Sequence, residues 1–403
     1  MTVAEREDDA APMTLQSQIN DLPFNDSWGA QAAALLLRAA RELGCSDLQI
    51  VCQKTDALVR ARREGGLILL ARIPAPRRDP LLQRFKALAN LPADGRRLPQ
   101  EGLIEWRSAA EAPPLALRLS TLPTIHGESL LVRFPQEALR RLGLGSLGMP
   151  EDVRIALEAL LSRREGAILV AGPGGSGRTT TIYALLLRLQ ERRGDQMSLL
   201  TVEDPVERDL GFAGQVEVNA PQGFGFDEAL QSALRQEPEI LMIGEIRDPR
   251  AARIAIQAGR SGRLVISCLH GSRASGVFTR LLAMGLEPAD VASAMIGALA
   301  QRLAPVLCRN CRRRDPQTGA YLPEGCEACA GTGYQGRTGL YELALATEKL
   351  RELILERAEP ERIAAEAARA QIGDLVREGR RLAERGVISL PELEGILPEQ
   401  GTE

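Results

Sequence analysis

An α/β fold is predicted for this 403-residue chain: a mostly parallel, helix-covered sheet built around a phosphate-binding loop, preceded by a small α+β domain. Three observations predict it. Gly172-Pro-Gly-Gly-Ser-Gly-Arg-Thr179 has the P-loop form G-x-x-x-x-G-K-[ST], with arginine in the lysine position. Around it, short apolar strands alternate with stretches of helical period, the pattern of a parallel sheet with helices on its faces. Upstream, strands and helices follow one another without that alternation. A content of 44% hydrophobic and 26% charged residues excludes a largely disordered chain. No apolar run approaches the ~18–20 residues that span a bilayer. The acidic start, MTVAEREDDAAPM, lacks the basic and apolar segments of a secretory signal, so a cytoplasmic location is expected.

In chain order, residues 1–25 form a polar N-terminal tail, loose at its start. Residues 26–135 form the α+β domain. Ala30 to Leu43 and Leu81 to Leu91 are helical, and strands are expected at 47–51, 57–62, 115–119 and 130–134. Gly65-Gly66 marks a turn, and Thr121 to Glu128 a loop in which His126 packs. Residues 136–150, rich in Leu, Gly and Arg, make a linker. The core, 151–304, carries strands at 167–171, 198–202, 240–243 and 264–267, with helices at 179–190, 226–235 and 250–258 between them. Residues 305–335 are a cysteine module, and 336–403 a C-terminal helical region.

Charge narrows the partners. The net charge of −3 offers no basic field for nucleic acid, and aromatics at 3% are too sparse for base-stacking platforms, so no nucleic-acid partner is expected. Of the 50 basic residues only Lys54, Lys86 and Lys349 are lysines. A compositional bias toward arginine accounts for that, but it matters at one position, Arg178.

In the loop Gly172, Pro173, Gly174, Gly175, Ser176, Gly177, Arg178, Thr179 and Thr180, glycines let backbone N–H groups wrap phosphate, and the following helix adds its positive N-terminal end. The Thr179 hydroxyl is placed to ligate Mg²⁺. Three more strand ends carry polar groups. Glu203-Asp-Pro-Val-Glu207 follows one strand. Ile240-Leu-Met-Ile-Gly-Glu245 is a Walker B pattern with glycine for the aspartate, in which Glu245 orients or deprotonates water. Leu264 to Leu269 ends in His270. A solvated strand end is the plainer reading of any one of these; four polar ends on a common edge point to a site.

Four of the seven cysteines form two knuckles, Cys308-x-x-Cys311 and Cys326-x-x-Cys329, with zinc-ribbon spacing. With no histidine near, the expected Zn²⁺ site is structural. Cys45, Cys52 and Cys268 read as small core side chains.

Together, GPGGSGRTTTIYA, LTVEDPVE, EPEILMIGEIRDPRAA, GRLVISCLHG and GRTGLYEL resemble the ATPases of type II secretion and type IV pilus assembly, the GspE/PilB/PulE group. CSDLQI, RRLPQEG and LRLSTLPTIHGESLLVRF resemble that family's PAS-like N2 domain. The resemblance covers residues 30–345. It implies a RecA-like ATPase core using ATP and Mg²⁺. It also implies a homo-hexamer that drives an inner-membrane assembly platform and meets the membrane through its partners. By position it makes 172–180 the Walker A loop, Glu203 and Glu207 part of the Asp box, Glu245 the Walker B glutamate and His270 the His-box histidine. It makes Arg118 and Arg133 the N2-domain arginines that reach the phosphates. The cysteine module, typical of assembly ATPases, argues for assembly over retraction. Departures are Arg178, Arg263, Cys268 and Gly271-Ser272, and an N1 domain missing or reduced to about the first 25 residues. Arg178 leaves a second reading open, a weakly active or inactive scaffold subunit of the same fold.

Overall fold

The computed structural model describes residues 15–63, 65–93, 98–107, 114–135, 143–219 and 223–397. The first fourteen residues of the expected tail and 136–142 of the expected linker lie outside them. The chain divides into two compact units, residues 1–137 and 138–403.

The first unit contains α1 (Leu15–Asp21), α2 (Trp28–Glu42), β1 (Asp47–Cys52), β2 (Asp56–Arg63), β3 (Gly66–Pro74), α3 (Ala75–Leu88), β4 (Gln100–Trp106), β5 (Leu115–Thr124) and β6 (Gly127–Arg133). Its strands form one antiparallel sheet in the order β3-β2-β1-β6-β5-β4. In α2 the buried residues Trp28, Ala32, Ala33, Leu36, Leu37 and Ala40 recur at helical spacing and join Leu48, Ile50, Val59, Phe85 and Val132 in one core. Helix α1 lies in the segment expected as tail, and it buries Ile19 in that core.

The expected loop at 121–128 is instead the end of a hairpin. β5 and β6 stay paired to Thr124↔Gly127, leaving Ile125 and His126 exposed at the tip. Pro123 is tolerated in β5 because the pairing with β4 has already ended at Gln100↔Thr121. His126 is therefore exposed at a hairpin tip rather than packed within a loop.

The second unit holds α4 (Glu151–Leu161), β7 (Gly166–Ala171), α5 (Arg178–Arg193), β8 (Leu199–Glu203), β9 (Gly214–Glu217), α6 (Phe226–Leu234), β10 (Ile240–Ile246), α7 (Pro249–Arg260), β11 (Leu264–Leu269), α8 (Gly276–Ala283), α9 (Pro288–Ala294) and β12 (Met295–Leu307). These are followed by β13 (Arg313–Arg314), β14 (Tyr321–Leu322), β15 (Tyr334–Leu345), α10 (Glu348–Leu355), α11 (Pro360–Arg369), β16 (Gln371–Gly373), α12 (Leu375–Glu384) and α13 (Leu390–Ile396).

The main sheet runs β16-β15-β12-β7-β11-β10-β8-β9 and is parallel from β12 to β9. Every residue of β7 and β11 is buried, which explains their unbroken apolar sequences. Alternate β7 residues serve opposite cores: Ala167 and Leu169 face one, Ile168 and Val170 the other. Of the strands in this sheet, β9, β12, β15 and β16 were not apparent in sequence. β12 and β15 pair antiparallel along almost their whole length, and the cysteine module is the excursion between them. Among the described residues no helix is long and apolar enough to cross a membrane.

The first unit also buries an ion pair. Lys86 of α3 is 1% exposed, and its Nζ donates to both oxygens of Glu128 on β6, at 3.0 and 3.2 Å. Removing one partner strands the other charge out of water. Lys86→Ala is expected to destabilise this unit by ~3 kcal/mol, and Lys86→Met with Glu128→Leu by less. The chain's two tryptophans, Trp28 and Trp106, both lie in this unit, so urea unfolding followed by tryptophan fluorescence reports on it.

Candidate nucleotide site

The order of the parallel strands fixes where a ligand can bind. The chain leaves β7 for β8 on one side, returns through β10 and β11, then crosses to β12 on the other side of β7. Such a reversal opens a crevice at the carboxyl ends of the strands. The glycine loop lies there, between β7 and α5.

Gly172 has no room for a side chain: a Cβ would lie 2.3 Å from Ser176 Oγ and 2.9 Å from the Gln301 carbonyl. Gly177, at φ 86°, begins α5 in the left-handed region. Below the loop, buried Gln301 on β12 donates from Nε2 to the Ser176 carbonyl at 2.6 Å. Arg178 and Thr179 open α5, whose first N–H groups have no partner within the helix.

A cleft beside the loop is lined by Arg178, Thr179, Glu203, Asp204, Glu207, Gly244, Glu245, Arg247 and Cys268. Arg178 Nη2 lies 3.1 Å from Glu245 Oε1. The other oxygen of Glu245 accepts from Arg247 Nε at 3.0 Å, and Arg247 Nη1 donates to Asp204 at 3.2 Å. Asp248 caps α7 immediately afterwards, accepting from the N–H groups of Arg250 and Ala251 at 2.9 Å each.

Gly244 takes the aspartate's place for a steric reason. A Cβ there would lie 3.2 Å from the Val202 carbonyl and 3.3 Å from Glu203 Cα. The β10–β11 register shifts between Ile243 and Ile246. Two β11 side chains occupy the carbonyls this frees: Ser267 Oγ donates to Ile243 at 2.7 Å, and Cys268 Sγ to Gly244 at 2.9 Å. Irregular strands of this kind re-aim side chains at sites, here Glu245. Cys268 is thus buried, as expected of a core residue, but it also lines the cleft. Burial pushes its thiol up to about 11, so it is neutral at pH 7.

Glu203 is 2% exposed and fully engaged. Oε1 accepts from Thr201 Oγ1 at 2.6 Å and Gln215 Nε2 at 3.1 Å, and Oε2 accepts from the Tyr183 hydroxyl. Burial, then the Glu203 carboxylate, hold the Tyr183 phenol well above its usual range. The bonds tie α5, β8 and β9 together beside Glu207, which is exposed at the cleft. His270 is exposed just past β11 and outside the cleft lining. The segment after it is fastened from beneath: Arg302 donates to the Ser272 carbonyl at 2.7 Å, and buried Glu342 accepts from Ala274 N–H at 2.8 Å. Burial holds the Glu342 carboxyl above the usual range.

Sequence reasoning missed Tyr183, Arg247, Gln301, Arg302 and Glu342. The available signal was polar residues inside otherwise apolar runs, as in ALAQRLA and YELAL.

Arg118 and Arg133 belong to the first unit, on β5 and β6, directly opposite one another and both exposed. Arg133 Nε bonds Asp47 at 2.9 Å; Arg118 makes no hydrogen bond or ion pair among the described residues.

The four module cysteines converge, their sulfurs all within 4.8 Å of one another. Cys308–Cys326, Cys311–Cys329 and Cys326–Cys329 are each 3.8 Å apart. A tetrahedron with Zn–S bonds of about 2.3 Å has edges of about 3.8 Å, so the donor set and its size fit zinc. Burial opposes ionisation of Cys329, but N–H groups of Cys326 and Gly333 and the neighbouring thiols outweigh it and bring the thiol down to about 6.

A P-loop cleft on a sheet of this order, with a four-thiol module, defines a nucleotide-binding ATPase fold. The sequence pattern of the family described as Type II/IV secretion system protein matches residues 30–395, and the chain belongs to that family. It is 43% identical over 364 residues to the Type II secretion system protein HxcR of Pseudomonas aeruginosa, covering 89% of this chain and 75% of that one. It is 35% identical over 416 residues to the Type IV pilus assembly ATPase TfpB of Acinetobacter baylyi, covering 98% and 70%. The fold is similar to that of the Legionella pneumophila ATPase DotB, with a TM-score of 0.69, 18% identity, and coverage of 94% and 98%.

Proposed function

We propose that this chain is a secretion-type ATPase that couples ATP binding and hydrolysis to pilus or pseudopilus assembly and type II protein secretion. The observation that carries the reading is the convergence of Arg178, Thr179 and Glu245 on one cleft beside the glycine loop. The loop 172–180 cradles the phosphates, and Arg178 supplies positive charge to them. Glu245 orients and deprotonates the attacking water. Thr179, with the cleft carboxylates, offers the hard oxygen donors Mg²⁺ requires, and the ion offsets phosphate charge when bound. With both its oxygens engaged, Glu203 fixes the segment that carries Glu207; His270 acts from the neighbouring loop.

Assembly is a homo-hexamer on the cytoplasmic face of the inner membrane, working on a platform protein there. In that ring Arg118 and Arg133 reach the phosphates. Like charges opposite one another on a sheet are unfavourable alone, and a bound phosphate offsets that cost. The scaffold reading, by contrast, has no support: the loop is intact around Arg178, and a relative this similar is named an ATPase.

Steady-state Mg·ATP hydrolysis by the purified oligomer tests this. Glu245→Gln is expected to lower kcat by ~100-fold or more. Arg178→Lys is expected to raise it by ~10-fold, because a compact ammonium fits the loop better than a guanidinium. Turnover no faster than that of Glu245→Gln would contradict an active motor. The thiol cluster holds structural Zn²⁺, which supplies folding free energy directly. Protein purified without chelator should carry one zinc per chain; sub-half occupancy with four reactive thiols would refute this.

A further inference from the structure

Glu245 is gripped on both oxygens by guanidinium groups in unlike settings. Arg178, at the start of α5, has a side chain 13% exposed and reaches Oε1 at 3.1 Å. Arg247 is 61% exposed and holds Oε2 at 3.0 Å while also bonding Asp204. The Nη1 of Arg178 is buried and makes no hydrogen bond among the described residues. The residue thus lines the cleft while keeping one donor unpaired. Arginine cannot shed its proton, and its planar fork can satisfy two anions or move from one to another.

Resting on the nucleotide-site reading above, we propose that Arg178 is exchanged between Glu245 and the phosphates of the nucleotide, and that Arg247 is the positioning residue that keeps Glu245 aimed during the exchange. With a guanidinium group at each oxygen, the Glu245 carboxylate faces arginine rather than a water on both sides. Polyphosphate brings more negative charge to the loop than one carboxylate and is also drawn by the helix N-terminus. It therefore displaces Oε1 from Arg178. Oε1 becomes free to take a proton from water, while the Arg247 bond to Oε2 and the Arg247–Asp204 pair hold the carboxylate in place. Glu245 thus stays idle until phosphate arrives. The arginine at the lysine position is the part of the sequence that builds this contact.

The exchange predicts that Glu245 competes with nucleotide. Binding of Mg·ADP and of a non-hydrolysable ATP analogue to the full chain is measured by calorimetry for the native protein, Glu245→Gln, Arg178→Ala and the double variant, with Arg178→Gln as a second variant. Glu245→Gln should tighten binding by about fivefold or more in the native background and by less than about twofold when Arg178 is absent. Equal tightening in both backgrounds would show only relief of general charge repulsion and would overturn the exchange. So would no tightening. If the native protein binds nucleotide and the cycle is flat, the exchange alone fails; if no variant binds nucleotide, the nucleotide-site reading fails with it.

Discussion

The backbone of residues 172–177 must leave a strand buried on every side, pass through positive φ at Gly175 and Gly177, and enter α5 without a side chain filling the turn. That geometry is unfavourable unless something fixes both ends. β7 fixes one end by its place between β11 and β12, and α5 fixes the other through Leu185, Leu186 and Leu189 in the core. Gln301 supports the middle through the Ser176 carbonyl. Cleft, glutamate and arginine positions all follow from this loop being held open.

β12 distributes that support. Successive residues of a strand point to opposite faces, so Gln301 meets the phosphate loop while Arg302 meets the segment after His270. On the paired strand β15, Glu342 takes the N–H of Ala274 in that same segment. One strand pair thus touches the phosphate loop and the segment after His270 before running out into the four-thiol module. These buried polar groups are costly to desolvate; Gln301 Nε2, Arg302 and Glu342 are compensated by the segments they hold, while Gln301 Oε1 is buried without a hydrogen bond among the described residues.

What could be read from sequence follows from how each element is buried. β7, β8, β10 and β11 announce themselves as apolar runs, because both faces are covered. β12 does not, since Gln301 and Arg302 interrupt its run and their partners are distant in the chain. β4 is an edge strand with exposed Glu101, Leu103 and Glu105, which resembles a surface segment. The hairpin at 121–128 was hidden by Pro123 and Gly127. Within the site, Arg178, Thr179 and Glu245 were visible through their motifs. The ion pair joining Arg178 to Glu245 was not, because a motif gives residue types and positions but not which side chains meet.

The placement of the nucleotide is most directly tested by hydrogen–deuterium exchange on the full chain with and without Mg²⁺ and a non-hydrolysable ATP analogue. Protection should appear at residues 172–180, 203–207 and 244–247 and leave the cysteine module unchanged. Unaltered exchange across all three segments, or protection confined to the cysteine module, would contradict this account.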